Sequence, residues 1–160
     1  MTATTPLLRV VVLVSGRGSN LQAIAARADA GELPVRIEAV VSDRADAGAL
    51  DWARARGIAT SVLSPRDFPD REAYGRALGD IVESHAPQLV VLAGFMRILS
   101  DEFVLRFSGR MLNIHPSLLP RYAGLHTHRR ALAAGDREHG ASVHFVTPEL
   151  DGGPVVLQAR

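Results

Sequence analysis

The sequence predicts an α/β fold built on one doubly wound, mostly parallel sheet with helices on both faces. Three observations predict it. Short β-branched runs alternate with helix-spaced segments from end to end, the signature of strand–crossover–strand units with right-handed connections. Leu8–Ser15 and Gln88–Ala93 are almost continuously apolar, as strands buried on both faces are. The 160 residues carry no internal repeat and no linker, so a single domain with one core accounts for the pattern.

The elements follow in order. Leu8–Ser15 is the first strand. Ser19–Ala30 is a helix, since Leu21, Ile24, Ala25 and Ala28 fall on one side. Val35–Ser42 is the second strand. Asp46–Arg56 is a helix stopped by Gly57. Ala59–Leu63 is a third, weaker strand, and two prolines make Ser64–Asp70 a loop. Arg71–His85 is a helix with Tyr74, Leu78, Ile81 and Val82 on its apolar side, ended by Pro87. Gln88–Ala93 is the fourth strand. Ser100 caps a short helix to Phe107. Arg110–Ile114 is the fifth strand. An irregular loop, Pro116–Leu125, leads to the helix His126–Ala134, stopped by Gly135. Ala141–Thr147 alternates, with Val143 and Phe145 on one face and Ser142 and His144 on the other. Pro154–Gln158 is the last strand.

Composition excludes several functions. The 18 basic and 17 acidic residues nearly cancel, leaving no basic field for nucleic acid or an anionic membrane. With no cysteine, disulfides, thiolate zinc sites and cysteine nucleophiles are impossible. All 18 basic residues are arginine, so a phosphate-loop lysine and a lysine Schiff base are excluded as well. No apolar run approaches the roughly 20 residues of a bilayer span. The run after Arg9 leads into Ser15-Gly16-Arg17-Gly18 without a signal cleavage site. A cytoplasmic protein is the expectation.

In doubly wound sheets ligands bind beyond the carboxyl ends of the strands, so the residues after each strand are the candidates. Ser15-Gly16-Arg17-Gly18-Ser19-Asn20 joins the first strand to the first helix. Glycines permit close backbone approach, and a helix N-terminus offers unpaired N–H groups, which together suit a phosphate. Leu21 stands where a dinucleotide fingerprint needs its third glycine, so a nicotinamide or flavin is not expected. After the fourth strand, Met96, Ile98 and Leu99 place apolar side chains at a strand end, which fits a flat, partly apolar ligand. Asn113 and His115 are two apart and share a face of the fifth strand. An amide and an imidazole there suit oxyanion stabilisation and proton transfer. Asp151 lies in the turn Glu149–Pro154, and its interest depends on meeting His115. His126 and His128 are two apart at a helix start with no carboxylate cluster beside them, so no metal site is expected.

These segments together closely resemble the phosphoribosylglycinamide formyltransferases, folate-dependent enzymes of purine synthesis. The resemblance rests on Ser15–Ile24, Ala93–Leu99, Leu112–Pro120, Gly124–His128, Gly140–Val146 and Glu149–Pro154, in the family's order. The Asn113–Pro120 segment is shared with other folate formyltransferases and with formyltetrahydrofolate deformylase, while the Ser15–Asn20 loop selects the ribonucleotide enzymes. The resemblance implies a Rossmann-like sheet of the formyltransferase type and 10-formyltetrahydrofolate as co-substrate, without metal or covalent adduct. It implies Gly18, Ser19 and Asn20 at the substrate phosphate, Arg71, Met96, Arg97, Ile98, Leu99 and Asn113 at the folate, and Asn113, His115 and Asp151 as the catalytic group. The amine of 5-phosphoribosylglycinamide would attack the formyl carbon to give a tetrahedral intermediate. The resemblance further implies a single catalytic domain over residues 1–160, lacking a C-terminal strand–helix segment. An exposed apolar patch, poor turnover and self-association, with a homodimer among its forms, are the expected consequences. A deformylase and a non-catalytic phosphosugar- or folate-binding module stay open as alternatives.

Overall fold

The computed structural model describes residues 6–160. Seven strands, β1 (Leu8–Val14), β2 (Val35–Ser42), β3 (Ala59–Val62), β4 (Leu89–Leu92), β5 (Met111–His115), β6 (Ala141–Phe145) and β7 (Val155–Ala159), form one sheet in the order β3-β2-β1-β4-β5-β6-β7. The pairings from β3 through β5 are parallel. Those of β6 with β5 and β7 are antiparallel. Five α-helices, α1 (Ser19–Asp29), α2 (Gly48–Ala55), α3 (Arg71–Ser84), α4 (Asp101–Arg106) and α5 (Thr127–Ala133), lie among the described residues.

The continuous apolarity of β1 has a direct cause. Val10, Val12 and Val14 pack on one face against Leu21 of α1 and Ala49, Leu50 and Ala53 of α2. Val11 and Leu13 pack on the other against Tyr74, Leu78 and Val82 of α3 and Phe103 and Val104 of α4. Both faces are therefore covered, as doubly wound sheets require. The strand order reverses between β1 and β4, because β2 and β3 extend to one side of β1 while β4 and β5 extend to the other. That switch point is where a ligand crevice opens in this architecture.

The structure shifts some boundaries. The second helix begins at Gly48 rather than Asp46, because Ala47 is still extended and Asp46 accepts from Nε and Nη2 of Arg44. The proline loop contains one 3-10 turn, Pro65–Asp67, capped by Ser64. Asp70 caps α3 by accepting from the Ala73 N–H, and Ser100 caps α4 by accepting from the Phe103 N–H. His126 stands outside α5 in a left-handed conformation. All five residues of β7 are exposed, with Leu157 at 64%.

Candidate active site

The loop after β1 is shaped by one glycine. Gly18 has φ +77°, and a Cβ there would lie 2.7 Å from Cβ of Ala49. Any side chain would be strained and would also collide with α2. Gly18 occupies the cap position of α1, where no side chain bonds the first helical N–H groups and no acidic residue stands in the first turn. The helix thus presents an uncapped, positively polarised end. It opens on a cleft of about 500 Å³ walled by Gly16, Gly18, Ser19, Asn20, Met96 and Arg97, with Asp43 and Arg44 beside them.

The second wall comes from the segment after β4. The Ser15 N–H donates to the Gly94 carbonyl at 3.2 Å, and the Met96 N–H donates to Ser15 Oγ at 2.8 Å. Met96 and Ile98 are both more than half exposed, while Leu99 packs on the core under α3 and α4. Of the residues the resemblance places at the folate, Met96 and Arg97 reach the cleft. Ile98, Leu99, Asn113 and Arg71, the exposed first residue of α3, are not among its walls.

Asn113, His115 and Asp151 form a second group at the carboxyl end of β5. Leu92 of β4 pairs with Asn113, which sets this group beside the segment after β4. His115 is buried, and its Nε2–H donates to the Tyr122 carbonyl at 2.9 Å. Its Nδ1 lies 3.6 Å from Asp151 Oδ2. Asp151 itself has φ +52° in its turn, and Oδ2 accepts the Gly124 N–H at 2.8 Å. The turn after β6 thus reaches back across the loop after β5, and the carboxylate meets the imidazole at an 8% exposed position.

His144 is a member of this group that the sequence reading did not single out. The antiparallel register pairs Asn113 with His144 and His115 with Ser142. His144 Nδ1–H donates to the Phe145 carbonyl at 3.0 Å, which fixes the tautomer. Its Nε2 then accepts from Asn113 Nδ2 at 3.1 Å, and it stands 3.7 Å from Asp151 Oδ1. The polar face of β6 is the buried one, with Ser142 at 0% and His144 at 2% exposure. Ser142 Oγ donates to the Ser117 carbonyl and accepts from the Leu119 N–H, so it anchors the loop after β5. Asp43 is another residue that the sequence did not flag, and it is buried against the cleft. Tyr74 lies near it. Burial pushes the Tyr74 phenol well up, and the Asp43 charge adds to that.

His128 pairs with His139, ring nitrogen to ring nitrogen at 2.8 Å. Among the described residues no cluster of three or more histidines and carboxylates forms. No helix among them is long and apolar enough to cross a membrane.

The formyl transferase family model matches residues 8–160. The chain is 58% identical over 153 residues to the phosphoribosylglycinamide formyltransferase of Escherichia coli K12, an alignment covering 96% of this chain and 72% of that protein. A solved phosphoribosylglycinamide formyltransferase from Coxiella burnetii superposes with a TM-score of 0.91 at 51% identity, covering 95% of this chain and 71% of that one. Glycinamide ribonucleotide transformylase 1 from Symbiobacterium toebii superposes at 0.93 with 44% identity, covering 96% and 72%.

Proposed function

Because the chain belongs to the formyl transferase family, we propose that Asn113, His115 and Asp151 carry out its transfer chemistry over residues 1–160 acting as one catalytic domain. The reaction is transfer of the formyl group of 10-formyltetrahydrofolate to the amine of 5-phosphoribosylglycinamide, a step of purine synthesis. The observation that carries the assignment of residues is the buried contact of His115 with Asp151, 3.6 Å apart beside Asn113.

In this reading the uncapped start of α1 receives the ribonucleotide phosphate through the N–H groups of Gly18, Ser19 and Asn20, where the helix dipole favours an anion. The Met96–Leu99 segment, with Arg71 and Asn113, takes the folate. The neutral amine attacks the formyl carbon, and the carbonyl oxygen becomes an oxyanion. Asn113, through the second hydrogen of its Nδ2, and a protonated His115, through Nδ1 because Nε2 is held by the Tyr122 carbonyl, donate to that oxygen, which is worth more in the transition state than in the ground state. Asp151 orients the imidazole and helps move the proton from the attacking nitrogen to the leaving folate nitrogen. Collapse of the intermediate breaks the bond from the formyl carbon to the folate nitrogen. No metal and no covalent enzyme adduct enter these steps. The setting is the cytoplasm, and self-association into a homodimer belongs to the same proposal.

The test is an assay with both substrates, following tetrahydrofolate release and formylated ribonucleotide. Formyl transfer that requires the ribonucleotide is the expected result. Release of formate at the same rate without ribonucleotide overturns it in favour of hydrolysis. Binding of either ligand without turnover would leave a binding module.

A further inference from the structure

Asp43 follows directly on β2, at the carboxyl end of the sheet, and its side chain is 1% exposed. Both of its oxygens are occupied, one by each of the two segments that wall the cleft. Oδ1 accepts the Ser15 hydroxyl at 2.6 Å, and Oδ2 accepts the Arg97 Nε–H at 2.7 Å. Ser15 Oγ also accepts the Met96 N–H at 2.8 Å. The result is a closed ring: Asp43, Ser15 at the root of the glycine loop, and Met96–Arg97 after β4. Three neighbouring parallel strands, β2, β1 and β4, each contribute one corner.

The charge arrangement makes this ring more than a loop brace. A carboxylate withdrawn from water is tolerated only when paired and hydrogen-bonded. The cation here is Arg97, whose side chain is 47% exposed and lines the cleft. Moving Arg97 away would leave Asp43 buried without its counter-charge. The side chain that faces the ligand is therefore held by a buried anion, and the same anion holds the root of the other loop.

We infer that Asp43 is a positioning residue that couples the two ligand loops, so that ribonucleotide bound at Gly18–Asn20 and folate bound at Met96–Leu99 each strengthen the other's binding. The inference rests on the formyltransferase reading above. A ligand that orders one loop reduces the cost of ordering the other, because both are tied to one carboxylate. The coupling must also be reciprocal, the same factor whichever ligand binds first.

The Asp43→Asn substitution separates the two ties while keeping size and shape. The amide oxygen still accepts from Ser15, but the amide nitrogen is a donor and cannot receive Arg97. The experiment is calorimetric titration of tetrahydrofolate with and without saturating 5-phosphoribosylglycinamide, on the parent chain, D43N and Ser15→Ala. The parent is expected to bind the folate at least about five-fold more tightly with ribonucleotide present, the lower end of ordinary couplings. D43N should reduce that factor below about two-fold while ribonucleotide alone binds within about three-fold of the parent, a split that general destabilisation would not produce. Undiminished coupling in D43N, no coupling in the parent, or equal loss of both affinities in D43N overturns the inference. Should D43N fail to fold, S15A carries the test alone, and undiminished coupling there overturns it. Formyl transfer by the parent is scored separately. A parent that transfers no formyl group rejects the formyltransferase reading, whereas an active parent with coupling intact in D43N rejects only the role of Asp43.

Discussion

On the parallel side of the sheet, β1 and β4 end in loops whose backbone makes the cleft: the left-handed Gly18, the uncapped start of α1 and the Ser15–Gly94 bond. On the antiparallel side, β5 and β6 contribute side chains, and their register decides which ones meet. Under the proposed function the two regions divide the work. Backbone N–H groups and a helix dipole hold a charged substrate without being consumed by chemistry. Donors that act on a reacting carbon must be side chains fixed to within fractions of an ångström, which the paired strand β5 does for Asn113 and His115, while the Asp151 carboxylate comes from the turn after β6 and is held by the Gly124 N–H.

The largest effect should come from the side-chain half. Asn113→Ala or His115→Ala is expected to lower kcat about 100-fold or more, the usual cost of losing an oxyanion donor. Affinity for both ligands should change far less. Steady-state kinetics with each substrate varied would check this, and near-normal turnover in either variant would remove that residue from the mechanism. Next is the core under the cleft. Leu13 is fully buried in β1, so Leu13→Ala should cost about 2–5 kcal/mol of stability by denaturant unfolding.

The backbone half is probed by Gly18→Val, which combines a strained left-handed conformation with a clash against Ala49. At about 1–3 kcal/mol of local strain, ribonucleotide affinity should fall roughly ten-fold or more while folate affinity stays close to the parent's. Equal loss of both would mean that the loop serves as a hinge for the whole cleft. A smaller effect is expected for His144→Phe, which leaves the Asn113 amide without its buried acceptor. Asn113 is only partly buried, so the low end of the about 1–3 kcal/mol cost of an unmet donor applies, and kcat should drop roughly 5- to 10-fold, with binding little changed. The smallest belongs to β7: Leu157→Thr, at an exposed position, should move stability by no more than about 0.5 kcal/mol.

The same division governs what could be read from the sequence. The backbone half was legible because its cause is local. Continuous apolar runs marked β1 and β4, Gly57 and Ser100 marked helix ends, and two glycines before a helix marked the sharp turn into α1. The side-chain half was legible only in part. Strict alternation in Ala141–Phe145 separated two faces correctly, yet periodicity cannot say which face turns inward, and here the polar one does. His144 acquires its place only through pairing with Asn113 across 31 positions. The approach of Asp151 to His115 depends on a turn with φ +52° and on a hydrogen bond from Gly124, which no local pattern announces. No local pattern marks Asp43, the residue that follows β2. Its burial follows from where the ends of β1 and β4 fall in space.

The antiparallel pairing of β5 with β6 also bears on how this chain tolerates insertion and deletion. Asn113 faces His144 because the strands are in register, and the length of chain between them does not enter. Extra residues placed at the exposed Arg137 and Glu138 would therefore lengthen the connection and leave Asn113 and His144 where they are. Loss of a single residue within Ala141–Phe145 is a different event. Side chains alternate along a strand, so a one-residue slip exchanges its faces, placing an apolar neighbour opposite Asn113 and turning the imidazole outward. Length variation among descendants of this chain should accordingly collect in the connection and be absent from the five residues of β6.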